Sequence, residues 1–362
     1  MDDIGWLLPL AGGMTGIAIG AAARLDRFCT LAALERYWYA NDASGVRTWV
    51  LAAAIAIIVT QALVLGGLVD VSRSFYLAPS FGWTGAILGG LAFGFGMALV
   101  GTCGFGALVR LGGGSLRSLV VLIVLGLSAL AAQRGLVAQA RVEVVDNLAL
   151  DLGFAGDQSL GSLASTFIGV DIRLAVAVLV AGLLLLWVFS AADYRRLFGH
   201  IATAAVIGCG ISLGWVVTAW GARRAFEPVQ VEAGSFVVPV GDTLMQFITY
   251  TGVKPDYGVG LVVGVGLGAA LVAWRKKDVR WEACDDAREL GRHIVGAFLM
   301  GVGGVFAMGC TIGQGVSAAS LLAVSAPVAM LSVALGARLG LAYLLEGSVW
   351  SVFRFSHHKS AE

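Results

Sequence analysis

Long apolar stretches alternate with short polar segments along the whole chain. A run of about 20 mostly apolar residues forms a helix that crosses the hydrocarbon core of a bilayer. A further apolar stretch, 234–250, is short and broken, which favours a re-entrant or interfacial segment. The pattern predicts membrane-spanning helices at 5–23, 48–69, 83–101, 117–134, 170–190, 201–220, 257–274, 293–309 and 318–345, nine in all.

The Lys and Arg residues indicate how these helices are oriented. With residue 1 placed outside, the segments predicted inside hold sixteen Lys and Arg residues and those predicted outside hold five. Cytoplasmic loops of membrane proteins carry such an excess. The run Arg275-Lys276-Lys277 directly follows a predicted span and is the strongest indication, whereas Arg223-Arg224 opposes it. We predict the N-terminus outside and the C-terminus inside.

Composition agrees with lipid as the main solvent. Charged residues make up 13% of the chain and apolar residues 58%, whereas soluble domains are about 25% charged. Lys and Arg (24) nearly cancel Asp and Glu (23), so no basic surface for nucleic acid is expected. The sequence offers no cofactor motif and no paired catalytic carboxylates. We therefore predict an all-α integral membrane protein, with residues 1–362 as one polytopic domain, that is not an enzyme.

An internal repeat appears at an offset of 207 residues. The blocks Gly89–Gly106 and Gly296–Gly313 share four glycines and one cysteine, Cys103 in the first and Cys310 in the second. One block follows an inward span and the other an outward span, which predicts inverted repeats whose interrupted helices meet near the membrane middle. The predicted organisation is a first half-repeat, an external connecting loop and a second half-repeat, at 1–135, 136–169 and 170–345.

Five cysteines are present, without a C-x-x-C pair. Cys29 follows a glycine-rich helix as Cys103 and Cys310 do, and Arg24 and Arg27 beside it offer positive charge at the inner side. Buried packing is the ordinary role of a free cysteine, and we expect it for Cys209, which lies in a plain apolar span. We expect Cys284, in a charged inner loop, to be an incidental surface thiol.

The polar groups at the glycine-flanked breaks suit a soft anion. A neutral thiol is a weak, polarisable donor, and each helix start carries partial positive charge. No His or carboxylate lies in these breaks to complete a metal site, so no metal is expected. The predicted substrate-contacting residues are Cys29, Cys103, Cys310, Thr102, Gly104, Gly309, Thr311 and Gln314.

Several of these segments resemble the YeeE/YedE membrane family. The resemblance covers nearly the whole chain and is carried by Arg27-Phe28-Cys29-Thr30, Cys103–Val121, Asp256–Gly260, Arg280–Glu282 and Gly296–Gly315. One departure is visible, because Gly101-Thr102-Cys103-Gly104 stands where the family often has Gly-Gly-Cys-Gly. Thr102 adds a methyl group and a hydroxyl at this break, which bears on the choice of substrate.

The resemblance implies uptake of thiosulfate, or a related sulfur compound, across the prokaryotic inner membrane. It also implies an hourglass of nine spans with re-entrant half-helices, and a small cytoplasmic sulfur-carrier protein as a partner. In such a protein Cys29, Cys103 and Cys310 would pass the anion along by S–H···S contacts, without covalent chemistry.

Two alternatives stay open at this point. A membrane thiol-disulfide oxidoreductase would pass electrons between cysteines and a quinone, although such proteins usually carry a C-x-x-C pair. A transporter of another sulfur or selenium compound would share every feature above.

Overall fold

The computed structural model describes residues 3–225, 228–249, 254–284 and 286–348, and these residues are almost entirely helical. The helices of the N-terminal part are α1 (Asp3–Asp26), α2 (Thr30–Tyr39), α3 (Ser44–Leu65), α4 (Gly90–Val100), α5 (Gly104–Gly112), α6 (Leu116–Arg134) and α7 (Leu136–Arg141). Those that follow are α8 (Leu160–Ile168), α9 (Arg173–Phe189), α10 (Phe198–Arg224), α11 (Val238–Ile248), α12 (Tyr257–Arg275), α13 (Ala287–Phe306) and α14 (Ser325–Glu346).

Short elements join these helices. Two strands, Ser80–Phe81 and Leu150–Asp151, pair antiparallel. Three π-helical turns, Gly85–Gly89, Val142–Asp146 and Gly313–Ala318, and three 3₁₀ turns, Phe75–Leu77, Gly153–Ala155 and Tyr194–Arg196, complete the elements of the described part. The predicted connecting loop 136–169 therefore contains two short helices and a strand rather than irregular chain alone.

The chain is a multi-pass membrane protein. Within the described residues, seven helical segments are long and apolar enough to cross a bilayer: Gly5–Tyr39, Ser44–Leu65, Gly85–Gly112, Leu116–Arg134, Phe198–Arg224, Tyr257–Arg275 and Ser325–Glu346. The predicted all-α membrane fold is confirmed.

The nine predicted spans correspond to these seven segments and two further helices. Helix α9 lies at the predicted span 170–190 but has only 17 residues. Helix α13 has 20 residues and overlaps the predicted span 293–309 as far as Phe306, although its first turns are charged. The count of nine stays a prediction. The predicted start of the last span at 318 is wrong, because a π-helical turn and a loop precede α14.

Glycines let α1 and α12 pack with their backbones in contact. Gly12, Gly16 and Gly20 of α1 face Gly260, Gly264 and Gly268 of α12, each set at four-residue spacing. A Cβ at Gly16 would lie 2.8 Å from the backbone nitrogen of Val265. In lipid, where burial of apolar side chains gives little driving force, such close backbone packing holds helices together. These Gly-x-x-x-Gly patterns therefore act within the chain.

The remaining long helices pack across the two halves of the chain. Helix α3 packs against α10, α4 packs against α13 and α14, and α6 packs against α13. Gly94 of α4 makes one of these contacts possible, since a Cβ there would lie 2.7 Å from the backbone nitrogen of Ala337. Residues from both halves consequently surround the centre of the molecule.

Interrupted helices reach this centre. The chain breaks between α1 and α2, between α4 and α5, and between α13 and the following π-helical turn. A fourth interruption precedes α11, which starts after an extended segment at 228–237. The short apolar stretch predicted at 234–250 is therefore a half-helix entered from extended chain.

Candidate functional site

The three cysteines predicted to contact substrate share one local geometry. Each follows, by two residues, a residue in the left-handed region: Arg27 (φ 52°), Gly101 (φ 76°) and Met308 (φ 56°). Glycine adopts this conformation freely, whereas the left-handed conformation costs on the order of 1–2 kcal/mol at each of Arg27 and Met308. The reversal ends one helix and places the cysteine at the start of the next.

Two of the thiols cap the helices that they start. The Gly106 amide donates to Cys103 Sγ at 3.2 Å, and the Gly313 amide donates to Cys310 Sγ at 3.3 Å. Cys103 and Cys310 are each 1% exposed. Because these amides are the otherwise unpaired donors of a helix start, both sulfurs lie where the helix dipole favours negative charge.

Cys29 and Cys103 lie together, and we call them the thiol pair. Cys29 starts α2 in an extended conformation, and its Sγ lies 3.6 Å from Thr102 Oγ1. A Cβ at Gly106 would lie 3.2 Å from Cys29 Sγ and 3.5 Å from Cys103 Sγ, and would collide with Thr102 Oγ1. The missing side chain of Gly106 therefore leaves the space that both sulfurs border.

The thiol pair opens onto a cavity of about 640 Å³. Cys29 and Thr102 belong to its lining, and its basic residues outnumber its two acidic ones, Asp278 and Glu282. The basic residues that line it are Arg24, Arg27, Arg110, Arg117, Lys276 and Arg280. A cleft lined by one sign of charge concentrates ions of the opposite sign. We call it the basic cavity, and it is suited to hold a small anion.

Ion pairs position part of the rim of the basic cavity. Arg24 pairs with Asp278 at 3.1 Å, and Arg117 pairs with Glu282 at 3.0 Å and with Glu289 at 2.8 Å. The side chains of Arg24 and Arg117 are 21% and 33% exposed. The two predicted inner-side charges, Arg24 and Arg27, thus lie in one cavity with Cys29.

Cys310 lies apart from the thiol pair, in a region lined by hydroxyl groups. The Ser235 side chain lies close to the Cys310 thiol. The Tyr76 hydroxyl would lie 2.8 Å from a Cβ at Gly313 and 3.1 Å from one at Gly309. We call Cys310, Tyr76 and Ser235 the hydroxyl-lined site. Of these three residues the sequence had indicated Cys310 alone, together with the neighbouring Gly309.

Three aromatic side chains pack together next to both regions. The rings of Phe105 and Phe236 are 4.9 Å apart, and those of Phe28 and Phe105 are 6.3 Å apart. The Phe236 carbonyl lies 3.4 Å from the Cβ position of Gly104, while the Phe236 backbone also lies close to the Cys310 thiol. Because Phe236 contacts both sides and is fully buried, we call Phe28, Phe105 and Phe236 the aromatic barrier.

The other predicted residues, Thr311 and Gln314, follow Cys310 in the chain and are each 1% exposed. Gln314 Nε2 donates to the Ala307 carbonyl at 2.6 Å. Gln314 Oε1 and the Thr311 hydroxyl have no hydrogen-bond partner among the described residues. Gly104, the first residue of α5, is buried behind Cys103.

A half-buried carboxyl group with a raised pKa was missed by the sequence reasoning. Glu232 lies in the extended segment before α11, and Thr218 fixes its backbone by bonds to both its amide and its carbonyl. Burial raises the pKa of Glu232 to about 8, with repulsion from Asp256 and Asp242 adding to the effect. The sequence did offer one signal for this group, because Glu232 is a carboxylate in a segment otherwise poor in charge, three residues before Ser235.

The prediction for Cys209 was wrong. This cysteine is exposed rather than packed in the protein interior, because α10 buries another face, which carries Ala204, Ile207, Gly208 and Ile211. Cys284 is half-buried rather than a plain surface thiol, and its Sγ lies 3.7 Å from His293 Nδ1. The described residues hold no group of three side chains suited to a metal ion.

Interrupted helices with capping thiols inside a bundle of apolar spans define a polytopic membrane transporter. The family model for sulphur transport matches residues 26–339, and the chain belongs to this family. The resemblance to YeeE/YedE proteins is therefore confirmed, and the family comprises transporters rather than enzymes.

Two relatives support this assignment. The thiosulfate transporter TsuA of Escherichia coli (strain K12) is 26% identical over 330 residues, which cover 84% of this chain and 86% of the relative. The thiosulfate transporter TsuA of Spirochaeta thermophila is 23% identical over 334 residues, which cover 90% of this chain and 96% of the relative. The match therefore extends over nearly the full length of both relatives.

Proposed function

We propose that this protein takes up thiosulfate, or a close sulfur-containing anion, across the prokaryotic inner membrane. The observation that carries the proposal is the placement of Cys29, Cys103 and Cys310, each at the start of an interrupted helix in the centre of the bundle. The names of both relatives, thiosulfate transporters, support the same substrate.

The anion passes the cysteines in order. It meets Cys310 first, crosses the aromatic barrier, reaches the thiol pair and leaves through the basic cavity. Protonated thiols donate weak S–H···S hydrogen bonds to its terminal sulfur, and the helix starts contribute positive potential. No covalent bond forms, and weak serial contacts release the anion at each step. Consumption of the anion inside drives the net flow.

This route fits the proposed topology. The N-terminus lies outside and the C-terminus inside, and the segments 1–135 and 170–345 form inverted half-repeats joined by an external segment. Supporting the repeat, α1 packs against α12 just as α10 packs against α3, and α4 packs against α14 just as α13 packs against α6. Nine spans then result when α9 and α13 are included.

The basic cavity opens at the proposed inner face. We propose that a small cytoplasmic sulfur-carrier protein receives the anion there. Lys276 and Arg280 at the rim of the cavity are suited to contact acidic groups of such a partner.

Labelled thiosulfate entering proteoliposomes tests the proposal. The Cys310→Ala variant is expected to lose most uptake, while Cys209→Ala, a matched cysteine exposed on α10, keeps the wild-type rate. Growth of cells that lack other importers on thiosulfate as sole sulfur source provides a second readout. Undiminished uptake by Cys310→Ala would remove this thiol from the mechanism.

The rival oxidoreductase function makes a different prediction. The neighbours in the structure are Cys29 and Cys103, so an electron-transfer cycle would form a reversible disulfide between these two. Mass mapping of protein trapped during turnover is expected to show both thiols reduced. Competition by sulfide, selenium oxyanions and organosulfur acids against labelled thiosulfate separates the remaining substrates.

A further inference from the structure

The buried hydroxyl of Tyr76 lies near Cys310, and its lack of a hydrogen bond has no evident structural cause. Tyr76 is 2% exposed, and its hydroxyl makes no hydrogen bond of ordinary geometry with the described residues, although the Ser235 side chain lies beside it. Leaving a buried polar group unsatisfied costs about 1–3 kcal/mol, and such groups in native proteins mark strain, a water molecule or a ligand. The group therefore needs an explanation.

Packing fixes this hydroxyl in place. The Tyr76 ring packs 4.0 Å from the Phe75 ring and 6.4 Å, edge on, from the Trp215 ring. Trp215 is itself held by a hydrogen bond from its indole N–H to Ser320 Oγ at 3.0 Å. A ring held on two sides does not turn its hydroxyl towards another partner without disturbing the core.

The hydroxyl points into the turn that carries Cys310. It lies 2.8 Å from the Cβ position of Gly313, the residue whose amide caps Cys310 Sγ. Ser235 Oγ lies 3.1 Å from the same position. Two hydroxyls and one thiol therefore converge on this turn, where glycines at 309 and 313 let the Tyr76 hydroxyl approach the backbone closely. The Thr311 hydroxyl in the same turn is also unpaired.

The Tyr76 phenol is protonated and can therefore donate a hydrogen bond. Tyr76 lies in the connection between α3 and α4, outside the spanning helices, and burial raises the pKa of this phenol well above its usual value. It therefore keeps its proton at any physiological pH. Gln314 Oε1 only accepts hydrogen bonds and so offers nothing to an anion.

We propose that Tyr76 and Ser235 form an oxygen-binding subsite, in which their hydroxyls donate to the oxygens of a sulfur oxyanion while its terminal sulfur contacts Cys310. The inference rests on the proposed function and adds to it the recognition of the oxygen end. It makes Tyr76 and Ser235 specificity-determining residues, because hydrosulfide carries no oxygen for them to bind. A site built to hydrogen-bond oxygen rejects an analogue that lacks it.

The experiment compares two ligands on purified protein. Binding of thiosulfate and of hydrosulfide is measured for the wild type, Tyr76→Phe, Ser235→Ala and the control Tyr39→Phe, an exposed tyrosine at the end of α2. Tyr76→Phe keeps the ring and its packing. We expect thiosulfate affinity to fall about 10-fold for each site variant, the loss of one hydrogen bond to an anion, with hydrosulfide affinity unchanged.

Two results would overturn the inference. Unchanged thiosulfate affinity in both site variants would assign the unpaired hydroxyl to a water molecule. Equal losses for both ligands would show a structural role. If Tyr76→Phe does not fold, Ser235→Ala decides alone. Failure of the proposed function looks different, since the wild type would then bind thiosulfate no better than sulfate.

Discussion

The thiol pair and the hydroxyl-lined site are built from the same local device and differ in their surroundings. Both start with a left-handed residue followed by a capping cysteine. The thiol pair brings two thiols together beside a basic cavity. The hydroxyl-lined site holds one thiol beside a serine hydroxyl and a phenol, with Cys310 and Tyr76 both buried.

Under the proposed function, this difference corresponds to the two ends of a thiosulfate ion. Its terminal sulfur is soft and suits S–H donors, whereas its oxygens are harder and suit O–H donors. In the proposed route, the oxygens of the anion are selected at the hydroxyl-lined site, and the anion then passes the thiols to the basic cavity. Specificity and release are thereby located at different places. Substitutions near the thiol pair and near the hydroxyl-lined site should therefore have different effects.

The largest effect is expected at Gly106. A side chain here fills the space between Cys29 Sγ and Cys103 Sγ and collides with Thr102 Oγ1. We expect Gly106→Val to reduce thiosulfate uptake into proteoliposomes about 100-fold, as misplacement of contacts by about 1 Å does in other sites. Gly182→Ala, in α9, is the control, because nothing lies within 4 Å of its Cβ position. Normal uptake by Gly106→Val would show that the anion does not pass this space.

The aromatic barrier is expected to give the next largest effect. Phe236→Ala removes the ring that packs 4.9 Å from Phe105, and cavities of this kind cost about 3–5 kcal/mol of stability. A widened barrier should admit sulfate, raising its entry several-fold while thiosulfate uptake changes less. Phe167→Ala, at an exposed position, controls for the loss of an aromatic ring. Sulfate exclusion as strict as in the wild type would place selectivity elsewhere.

Titration of Glu232 gives a moderate, pH-dependent effect. Its pKa is raised by burial to about 8, so between about pH 5 and 8 the folded protein keeps a proton that the unfolded chain releases. Stability therefore falls as pH rises through this window. Ionised Glu232 also places a negative charge near Tyr76 and should slow anion entry.

Glu232→Gln removes this dependence. We expect the variant and the wild type to have equal melting temperatures in detergent at pH 5, and the variant to melt higher at pH 8.5 and to transport faster there. Glu35→Gln, at an exposed position of α2, should behave as the wild type at both pH values. A wild-type melting temperature that rises between pH 5 and 8.5 relative to Glu232→Gln would contradict the assignment.

The smallest effect is expected at the rim of the basic cavity. Arg24→Gln removes one charge that is already paired with Asp278, and partly exposed charges are screened by salt. We expect about a twofold slower uptake at low ionic strength, with no difference at high salt. Arg196→Gln, at an exposed position outside the cavity, serves as the control. An effect that persists at high salt would indicate a direct contact.

The sequence predicted those parts of the site that depend only on residues adjacent in the chain. Glycines flanking a cysteine marked the breaks at Cys103 and Cys310, because an apolar helix ends where a residue adopts the left-handed conformation. The length of the apolar stretches likewise predicted a helical membrane protein, since lipid permits few structures other than helices to cross it.

Parts formed by tertiary packing were not predicted. Tyr76 and Ser235 lie on separate connections, after α3 and after α10, and meet at Cys310 only when the helices of both halves pack. Cys209 shows the converse limit, because an apolar span does not reveal which of its faces contacts lipid. Arg27 and Met308 carried no signal either, as neither residue type favours positive φ.

The central claim is that Cys29, Cys103 and Cys310 together escort the anion. It is tested most directly by the rate of labelled thiosulfate uptake into proteoliposomes for two complementary variants. The variant Cys209→Ala/Cys284→Ala, which retains these three thiols, is predicted to transport at the wild-type rate. The variant Cys29→Ala/Cys103→Ala/Cys310→Ala is predicted to show no uptake above empty liposomes, and wild-type uptake by this triple variant would contradict the account.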